Sequence, residues 1–444
     1  MDFLSMWEAL IYSIVILIAA FIVWYYLRAG IQQSKSIEGK VKQAQEEGRF
    51  QPVSLHPHID PNRCIGSGAC IRACPEEDII GLLDGRATLI NASSCIGHGA
   101  CFHSCPVDAI SLRIGTEERG IDLPHVKPDY ETNISGIYIA GELGGMGLIK
   151  NSADQGVQAC TNAAAALPKE VACDLDLVII GAGPAGIAAA LRAKELGLNF
   201  KLLEQDSLGG TVFTYPREKV VMTQPMDLPL FGKLKFYNTN KEELLSTWSK
   251  LIEDHAIPLQ EHSKVKAISE QGDYHFKLEL ASGESLECRS VIIAIGRRGS
   301  PRKLGVAGEE SEKVAYRLLE PENIQNQKVL VVGGGDSAVE AALLLMNHNQ
   351  VSISYRKAHF ARIKKGNQIK LEEALASGKI KPLLETNLKA IEKEAVFLLD
   401  KEGQELRIDN QKVFIFAGGE LPISFLQSAG ITVEKTFGKT LKKH

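Results

Sequence analysis

The chain has 444 residues, 45% of them hydrophobic and 23% charged, with a formal net charge of −4. This length predicts two to four domains, and the slightly acidic balance, without a long basic run, argues against nucleic acid as a partner. Six of the nine cysteines fall in two matched triplets between residues 64 and 105, which indicates metal binding rather than disulfides. The other three, Cys160, Cys173 and Cys288, are isolated and are expected to be small buried residues.

The first element is an uncharged apolar run, Ala9 to Leu27. It is long enough to cross a bilayer as a helix, and aromatic residues 24–26 stand at one end, where amphipathic rings favour the headgroup layer. Five basic residues follow it: Arg28, Lys35, Lys40, Lys42 and Arg49. This basic bias predicts that everything downstream lies in the cytoplasm.

Two other interpretations of this run are a cleavable signal peptide and a buried core helix. A signal peptide would have basic residues before its apolar run, whereas the only charged side chains before this run are the acids Asp2 and Glu8. We therefore predict a single-pass anchor over residues 1–28 in the inner (cytoplasmic) membrane. Residues 29–57 are polar and are expected to form a linker, in part helical.

Residues 58–114 contain an internal repeat. Two cysteine triplets are related by a shift of 31 positions: Cys64, Cys70 and Cys74, then Cys95, Cys101 and Cys105. CIGSGAC in the first copy differs from CIGHGAC in the second at one position, and each triplet ends in Cys-Pro. The pattern resembles the bacterial dicluster ferredoxins, whose run is C-x2-C-x2-C-x3-C-P and whose last cysteine ligates the other cluster. The resemblance implies a small α+β ferredoxin-like domain with two iron–sulfur clusters.

Carried over from that family, the ligands would be crossed between the triplets: Cys64, Cys70 and Cys105 for one cluster, Cys95, Cys101 and Cys74 for the other. Where the family has its second cysteine, this chain has Ser67 and His98. Three states are therefore open: a 3Fe–4S cluster, a 4Fe–4S cluster with an oxygen or imidazole ligand, or a 4Fe–4S cluster with one iron open to solvent. The mixed Cys and His donors of the second triplet also leave a zinc site as an alternative.

The segment from Asp174 to Thr211 carries a dinucleotide fingerprint. An apolar strand ends in G-x-G-x-x-G, and an alanine-rich helix, a second apolar run and an acid follow. The glycines allow a tight turn, close approach of a pyrophosphate and close helix–strand packing, and the acid can accept a hydrogen bond from a ribose hydroxyl. A Gly-Gly-Thr just after the acid favours a flavin. The residues expected to bind it are Gly181, Gly183, Gly186, Glu204, Gly210 and Thr211.

A second fingerprint follows the strand-like run VLVV. Arg356 stands 23 positions after its first glycine, and Glu204 has that spacing in the first fingerprint. Since an acid there binds a free 2′-hydroxyl and arginines accommodate a 2′-phosphate, the sequence predicts NADPH over NADH. The expected binding residues are Gly333, Gly335, Ala338, Arg356, Lys357 and Arg362.

Two such sites in one chain are similar to the small thioredoxin-reductase-type flavoproteins, which bind FAD in a first domain and NADPH in a second. Ala294-Ile295-Gly296 matches that family's crossover between the domains, which adds Gly296 to the FAD site, and SYRKAHFAR resembles its basic motif. The resemblance implies an α/β fold with two doubly wound, Rossmann-like dinucleotide-binding domains. We place the core of the FAD domain at 173–298 and the NADP-binding domain at 299–417.

That family ends with a segment reading roughly T-N-x-x-G-I-Y-x-A-G-D, which closes over the flavin, and the end of this chain lacks it. A matching stretch, Thr132 to Glu142, stands before the first FAD strand instead. We interpret residues 115–167 as a circularly permuted C-terminal FAD segment, with 115–298 forming the FAD domain and 418–444 completing it. Gly141 and Glu142 thereby join the FAD site, with Glu142 in place of the family's Asp.

The permutation makes geometric predictions. Strand 136–140 should lie in one sheet with Leu177 to Ile180, and a helix should run from about Ala153 to Ala166 with its N-terminus at the flavin. Glu142 should lie near the first two glycines of the FAD fingerprint. The chain end, 437–444, should approach residues 115–122.

The implied chemistry is hydride transfer from the nicotinamide to the flavin, which needs no protein acid or base and whose electrons can leave singly to iron–sulfur clusters. Thioredoxin reduction requires a Cys-x-x-Cys in the NADPH domain, and residues 299–417 contain no cysteine. We therefore predict an enzyme that moves electrons between NADPH, FAD, two clusters and an external carrier, like a ferredoxin–NADP reductase with its ferredoxin attached. Membrane quinone reduction, disulfide reduction and a non-catalytic redox sensor are the alternatives, and a homodimer is compatible with the sequence.

Overall fold

The chain forms two compact units in a computed structural model. The model describes residues 3–52, 55–95, 97, 99–118, 120–145, 147–168, 171, 173–215, 220–222, 225–236, 238–297, 300–361 and 363–442. Unit 1 comprises Met1–Arg119 together with Phe437–His444, and unit 2 comprises Gly120–Thr436. Both ends of the polypeptide therefore belong to unit 1.

Unit 1 begins with one long helix, α1, Phe3–Glu46. Its part Leu10–Glu46 is long and apolar enough to cross a membrane, and none of its most apolar window is buried. The predicted linker is therefore mostly helix, since α1 continues for more than four turns past residue 28. Packing explains the difference: a Cβ on Gly81 would stand 2.7 Å from Ile37 Cδ1, and Lys40 Nζ pairs with Asp78 Oδ1 at 2.6 Å.

The rest of unit 1 is a small domain of short elements. They are β1 His56–Ile59, α2 Ala69–Ala73, β2 Ile80–Leu83, β3 Arg86–Leu89, α3 Ala100–His103 and β4 Ile110–Ile114. β1 pairs antiparallel with β4, and β2 with β3. The helices α2 and α3 start after Gly68 and Gly99, whose left-handed φ angles are 66° and 78°. The sequence repeat is thus also a structural repeat.

The last strand of the chain, Lys439–Lys442, pairs antiparallel with β4 and completes a three-stranded sheet. This corrects the expectation that all of 418–444 completes the FAD domain, because the edge of β4 takes up the end of the chain as a third strand. The chain end lies next to the stretch predicted for it but not within it: Lys439 pairs with Ile114, one residue before 115–122, and Lys435, two residues before 437–444, pairs with Asp122.

Unit 2 alternates strands and helices. Its helices are α4 Ile149–Ala166, α5 Pro184–Glu195, α6 Lys241–Asp254, α7 Asp336–Leu345, α8 Lys365–Ala376 and α9 Ile423–Ser428. Its strands are β5 Ile121–Pro124, β6 Ile137–Ile139, β7 Leu175–Ile180, β8 Phe200–Leu203, β9 Val220–Met222, β10 Met226–Leu228, β11 Gly232–Leu234, β12 Asn238–Asn240, β13 Leu259–Gln260, β14 Val265–Gly272, β15 His275–Leu280, β16 Ser285–Ile293, β17 Ser300–Pro301, β18 Val314–Ala315, β19 Lys328–Val332, β20 Gln350–Tyr355, β21 Ile380–Leu384, β22 Asn387–Ile391, β23 Ala395–Leu399, β24 Glu405–Asp409, β25 Lys412–Ile415, β26 Gly419–Glu420 and β27 Val433–Thr436.

A seven-stranded sheet forms the first half of unit 2, in the order β13-β8-β7-β16-β15-β14. β6 pairs in parallel with the last three residues of β16, so β13, β8, β7, β16 and β6 are all parallel to one another. The prediction that strand 136–140 shares a sheet with Leu177 to Ile180 is therefore confirmed. β7 reads LDLVII and is nearly continuously buried, as expected for a parallel strand covered on both faces.

The two faces of this sheet carry separate cores. One core contains α4, α5 and α6, and the other contains α9 with the segment that follows it, including Leu426 and Ile431. Residues from 419 to the end of β27 thus contribute to the first half of unit 2, where β27 pairs with β5.

A five-stranded parallel sheet, β18-β25-β19-β20-β21, forms the second half of unit 2. Helices α7 and α8 contribute to the core on one face, and the antiparallel sheet β22-β23-β24 contributes to the core on the other. Two parallel sheets with covered faces are the α/β architecture that the sequence predicts.

Helices α4 and α5 cross closely, because α4 carries a glycine at the crossing. A Cβ on Gly156 would stand 2.0 Å from the backbone oxygen of Ala185. We predict that Gly156→Ala destabilises the fold by about 1–3 kcal/mol through overpacking. The variant should therefore release its flavin at a lower temperature, as measured by the rise in flavin fluorescence on heating. The control is Gly366→Ala on α8, where a Cβ meets nothing within 4 Å and helix propensity gains up to about 1 kcal/mol. Equal release temperatures for the two variants would contradict the close crossing.

Candidate functional site

The first dinucleotide loop joins β7 to α5 through three glycines with different surroundings. Gly181 has a φ of 103°, and a Cβ on it would stand 2.6 Å from the Ala294 oxygen. A Cβ on Gly186 would stand 1.8 Å from the Gly181 oxygen, whereas one on Gly183 would meet nothing within 4 Å. Two glycines are therefore required by the fold, and the third faces open space at the start of α5.

Glu204 follows β8 and lies beside this loop. It is 5% exposed, and its carboxylate accepts the N–H groups of Ala182 at 2.7 Å and Asp206 at 3.0 Å. Burial raises the pKa of the Glu204 carboxyl, and those two backbone donors act against the shift. Because each carboxylate oxygen has two acceptor directions, Glu204 retains capacity to accept from a ribose hydroxyl.

The Gly-Gly-Thr segment packs on the same loop. Gly209 N–H donates to the Ala182 oxygen at 2.8 Å, and a Cβ on Gly210 would stand 3.3 Å from Gly183 Cα. Thr211 follows within this turn and is exposed. The structure therefore brings the predicted residues after β7 and β8 together.

The stretch Gly141-Glu142 follows β6 and reaches the same place. A Cβ on Gly141 would stand 3.1 Å from Ala185 Cβ, in the first turn of α5. Gly141 N–H donates to Gln155 Oε1 at 2.9 Å. Glu142 begins the next turn and interacts electrostatically with Arg297, which follows the predicted Gly296. Burial lowers the pKa of Arg297, and the charge of Glu142 raises it.

Sequence reasoning missed two residues here. Gln155 is buried in α4 and orients the Gly141 backbone. A polar residue on the alanine-rich face of the predicted helix is the sequence signal that could have identified it. Arg317 donates through both terminal nitrogens to Asp206 Oδ2, each at 3.1 Å, and so joins the two halves of unit 2. The sequence carries no local signal for this second contact.

These residues fit an FAD. Gly183 leaves open space at the start of α5, where N–H groups and the helix dipole favour a pyrophosphate. The buried acid Glu204 lies beside this space. The candidate ligands all follow the carboxyl ends of the adjacent parallel strands β8, β7, β16 and β6. That edge of a doubly wound sheet is where dinucleotides bind.

The second loop repeats this geometry between β19 and α7. Gly333 has a φ of 144°, and a Cβ on it would stand 2.6 Å from the Phe416 oxygen. A Cβ on Gly335 would meet nothing within 4 Å, and Ala338 is fully buried beneath the loop. This loop also fits a dinucleotide, with its opening at Gly335.

Arg356 and Lys357 follow β20, at the same edge of the sheet as the second loop. Gly333 N–H donates to the Ser354 oxygen at 2.9 Å, and β20 ends one residue later, so both exposed basic residues follow the strand beside the loop. The predicted Arg362 lies outside the described residues. Tyr355 was not predicted: a Cβ on Gly334 would stand 2.1 Å from its ring, which stacks on Phe360.

Three of the six clustered cysteines line one cavity in the small domain. We call Cys64, Cys70 and Cys105 the first cysteine set. The cavity wall also includes Ser67 and Val107. Backbone donors point at two of these sulfurs, from Ala87 to Cys64 Sγ at 3.4 Å and from Ala109 to Cys105 Sγ at 3.2 Å. The set implied by the resemblance to the dicluster ferredoxins is thus gathered at one place.

The other three cysteines, the second cysteine set, are Cys74, Cys95 and Cys101. The pKa of Cys101 is raised to about 12, mainly by burial and then by the charges of Cys95 and Cys74. The pKa of Cys95 is raised to about 11, mainly by burial, with smaller contributions from the charges of Cys74 and Glu76. His98, the proposed fourth donor here, lies outside the described residues.

The donors of the first set fit an iron–sulfur cluster. Within the ranges described above, no three Cys, His, Asp or Glu side chains are placed to hold one metal ion. The first set surrounds a cavity, and its neighbouring loop is tightly wound: a Cβ on Gly66 would stand 2.0 Å from the Gly85 oxygen. Sulfur donors around a cavity, with N–H groups directed at the sulfurs, suit an iron–sulfur cluster.

Fold and site together define a two-dinucleotide flavoprotein with an attached iron–sulfur domain. The chain belongs to the pyridine nucleotide-disulphide oxidoreductase family, whose model matches residues 178–443. A second model, of a 4Fe–4S dicluster domain, matches residues 56–106. The protein is therefore an FAD-dependent oxidoreductase that carries a 4Fe–4S domain.

Similar proteins agree with this class. A ferredoxin–NADP reductase of Ignicoccus hospitalis is 29% identical over 58% of this chain and 82% of its own. The bacilliredoxin reductase Bdr of Bacillus subtilis is 25% identical over 59% of this chain and 82% of its own. Among solved structures, the bacillithiol disulfide reductase Bdr of Bacillus cereus shares the fold, with a TM-score of 0.52 and 23% identity over 60% of this chain and 84% of that one.

The two open glycine positions predict separable losses. Gly183→Ala should weaken FAD binding by roughly tenfold or more, about 1.4 kcal/mol, because its methyl occupies cofactor space without touching the protein. Gly335→Ala should leave FAD in place and weaken NADPH binding instead. Flavin content and NADPH titration of both purified variants check this, with circular dichroism to show that both fold. Loss of both cofactors in either variant would contradict the assignment.

The cysteine sets predict which variants resemble each other. Cys74→Ala and Cys101→Ala should leave one and the same residual EPR signal, and Cys70→Ala and Cys105→Ala should leave the other, because ligation is crossed. Iron and sulfide analysis should show a partial loss in each. If Cys74→Ala left the signal that Cys70→Ala leaves, each triplet would hold its own cluster.

Proposed function

We propose that this protein moves single electrons between NADPH and an external one-electron carrier, through FAD and two iron–sulfur clusters held on the same chain. The observation that carries the proposal is the gathering of the first cysteine set around one cavity, on a chain that also has two open dinucleotide loops. The names of the similar proteins, ferredoxin–NADP reductase above all, support it. In this protein the ferredoxin-like domain would be part of the same polypeptide as the reductase.

The role of the chain's own residues is to bind the two dinucleotides and to position them. When bound, FAD takes a hydride from NADPH and gives up its electrons singly, and iron–sulfur clusters carry single electrons. The opening at Gly183 admits the flavin pyrophosphate, Glu204 accepts from its ribose, and the turn at Gly141 bounds the site beside α5. Gly335 admits the nicotinamide dinucleotide in the same way. Helix α4 begins at Ile149, seven residues after Glu142 and four before the predicted start near Ala153, and its N-terminal donors would favour negative charge on the flavin.

Disulfide reduction is the less favoured activity. Outside the clustered triplets, Cys160 and Cys288 are fully buried, whereas Cys173, also expected to be buried, is only partly so. Burial raises the pKa of Cys173 as well, and this residue has no second cysteine two or three positions away. Burial raises the pKa of Cys160 to about 12 and that of Cys288 further still, so both stay protonated and unreactive. A thiol–disulfide relay needs an accessible thiolate, which neither residue supplies.

The order of segments supports circular permutation. β6 and Gly141 stand where a C-terminal FAD segment of the thioredoxin-reductase type would stand, although they precede β7 in the chain. The end of the chain pairs alongside residues 112–124, as an unbroken ancestor would require. We propose that residues 115–167 are this displaced segment.

Helix α1 is proposed to anchor the protein in the cytoplasmic membrane with its domains on the cytoplasmic side. Its apolar window is unburied, and basic residues follow the apolar run. An anchored protein can meet a membrane acceptor, which keeps quinone as the second candidate acceptor.

Steady turnover tests the proposed function. Detergent-solubilised protein should oxidise NADPH with a one-electron acceptor such as cytochrome c, and Cys70→Ala should slow this several-fold. The same variant should reduce a two-electron dye acceptor at an unchanged rate, because the dye takes electrons from the flavin directly. Equal cytochrome c rates with and without Cys70 would show that the clusters lie outside the path.

Nucleotide choice gives a further prediction. Changing Arg356 and Lys357 together to Gln should raise KM for NADPH roughly 10- to 100-fold and leave KM for NADH nearly unchanged, since charge-assisted contacts to phosphate contribute about 1.5–3 kcal/mol each. Lys381→Gln, which removes an exposed charge from β21 of the same sheet, is the control. Equal effects on both nucleotides would contradict a 2′-phosphate site.

A further inference from the structure

The two copies of the cysteine repeat each begin a short helix after a left-handed glycine, and they differ in charge. Arg72 lies two residues after Cys70, and the shift of 31 positions puts His103 in its place in the second copy. Glu76 lies two residues after Cys74, and the same shift puts Val107 in its place. The crossing of the sets means that Arg72 and Val107 belong beside the first set, and His103 and Glu76 beside the second.

An exposed arginine, Arg72, stands at the edge of the first set. Arg72 Nη2 donates to the Ser67 oxygen at 3.3 Å, and its Nη1 is 3.2 Å from where a Cβ on Gly68 would be. Ser67 and Gly68 both line the cavity with the three cysteines, and Val107 forms another part of that wall. The first set therefore has a cation at its edge and an apolar residue where the second has an acid.

A carboxylate stands beside the second set. Glu76 donates its backbone N–H to the Cys74 sulfur, and its charge acts on both Cys74 and Cys95. The residue is partly buried, so solvent screens it less than a fully exposed acid. His103, in the position of Arg72, is exposed and is a weaker cation than arginine.

We propose that the two cysteine sets hold centres of unequal reduction potential, the first set the higher, and that Arg72 and Glu76 set this order. The inference rests on the proposed function, because it requires an iron–sulfur cluster in each set. Reduction adds a negative charge, which a neighbouring cation stabilises and a neighbouring carboxylate opposes. An electron passing inside the small domain therefore leaves the second centre, which is oxidised, and reduces the first, with no proton or bond change.

An anaerobic redox titration of the full detergent-solubilised protein, followed by EPR, tests this. The wild type should show two signals with separate midpoint potentials. Arg72→Gln should shift the higher midpoint downward and leave the lower one in place. Glu76→Gln should shift the lower midpoint upward and leave the higher one in place.

Matched variants separate charge from structure. Arg72→Lys and Glu76→Asp keep the charge and should keep most of the wild-type midpoints. Val107→Glu gives the first set the acid of the second and should lower the higher midpoint. A shift of the same signal by Arg72→Gln and Glu76→Gln, or midpoints unmoved by either, would overturn the inference while leaving the clusters and the proposed function in place. Protein without any iron–sulfur signal would overturn the proposed function and this inference together.

Discussion

The flavin site depends on parallel strands that end at one edge of a sheet. β8, β7, β16 and β6 are neighbours with their carboxyl ends aligned, and the residues that follow them meet there. The close approach of Gly186 to Gly181 fixes α5 on this edge, so that its N-terminus faces the opening at Gly183. β6 precedes β7 in the chain, yet it joins the same sheet by pairing with β16. The site is therefore completed by a strand from outside the continuous segment that begins at β7.

The same polypeptide passes between the units twice, after residues 119 and 436. Its last strand completes the sheet of the small domain, and the strand before it pairs with β5 in unit 2. The cysteine-bearing domain is thus held by two covalent connections instead of one. A covalently attached carrier does not need to be found by diffusion, which suits electron transfer through a fixed sequence of cofactors.

Much of this follows from the sequence, because the relevant signals are local. The G-x-G-x-x-G spacing locates both dinucleotide loops, and the 31-residue repeat identifies the two cysteine triplets, whose crossing is implied by the resemblance to the dicluster ferredoxins. Long-range contacts were not accessible in this way. Nothing local predicts that Arg317 pairs with Asp206, that Ile37 extends α1 by packing on Gly81, or that the chain end adds a strand to β4.

The central claim is that electrons from NADPH reach the clusters through the flavin of the same chain. Stepwise anaerobic addition of NADPH, with flavin absorbance and cluster EPR followed together, tests it most directly. EPR signals of reduced clusters should grow as NADPH is consumed, and the protein should take up more electrons than the flavin alone can hold. A flavin that is fully reduced by NADPH beside clusters that stay oxidised, yet are reduced by dithionite, would contradict it.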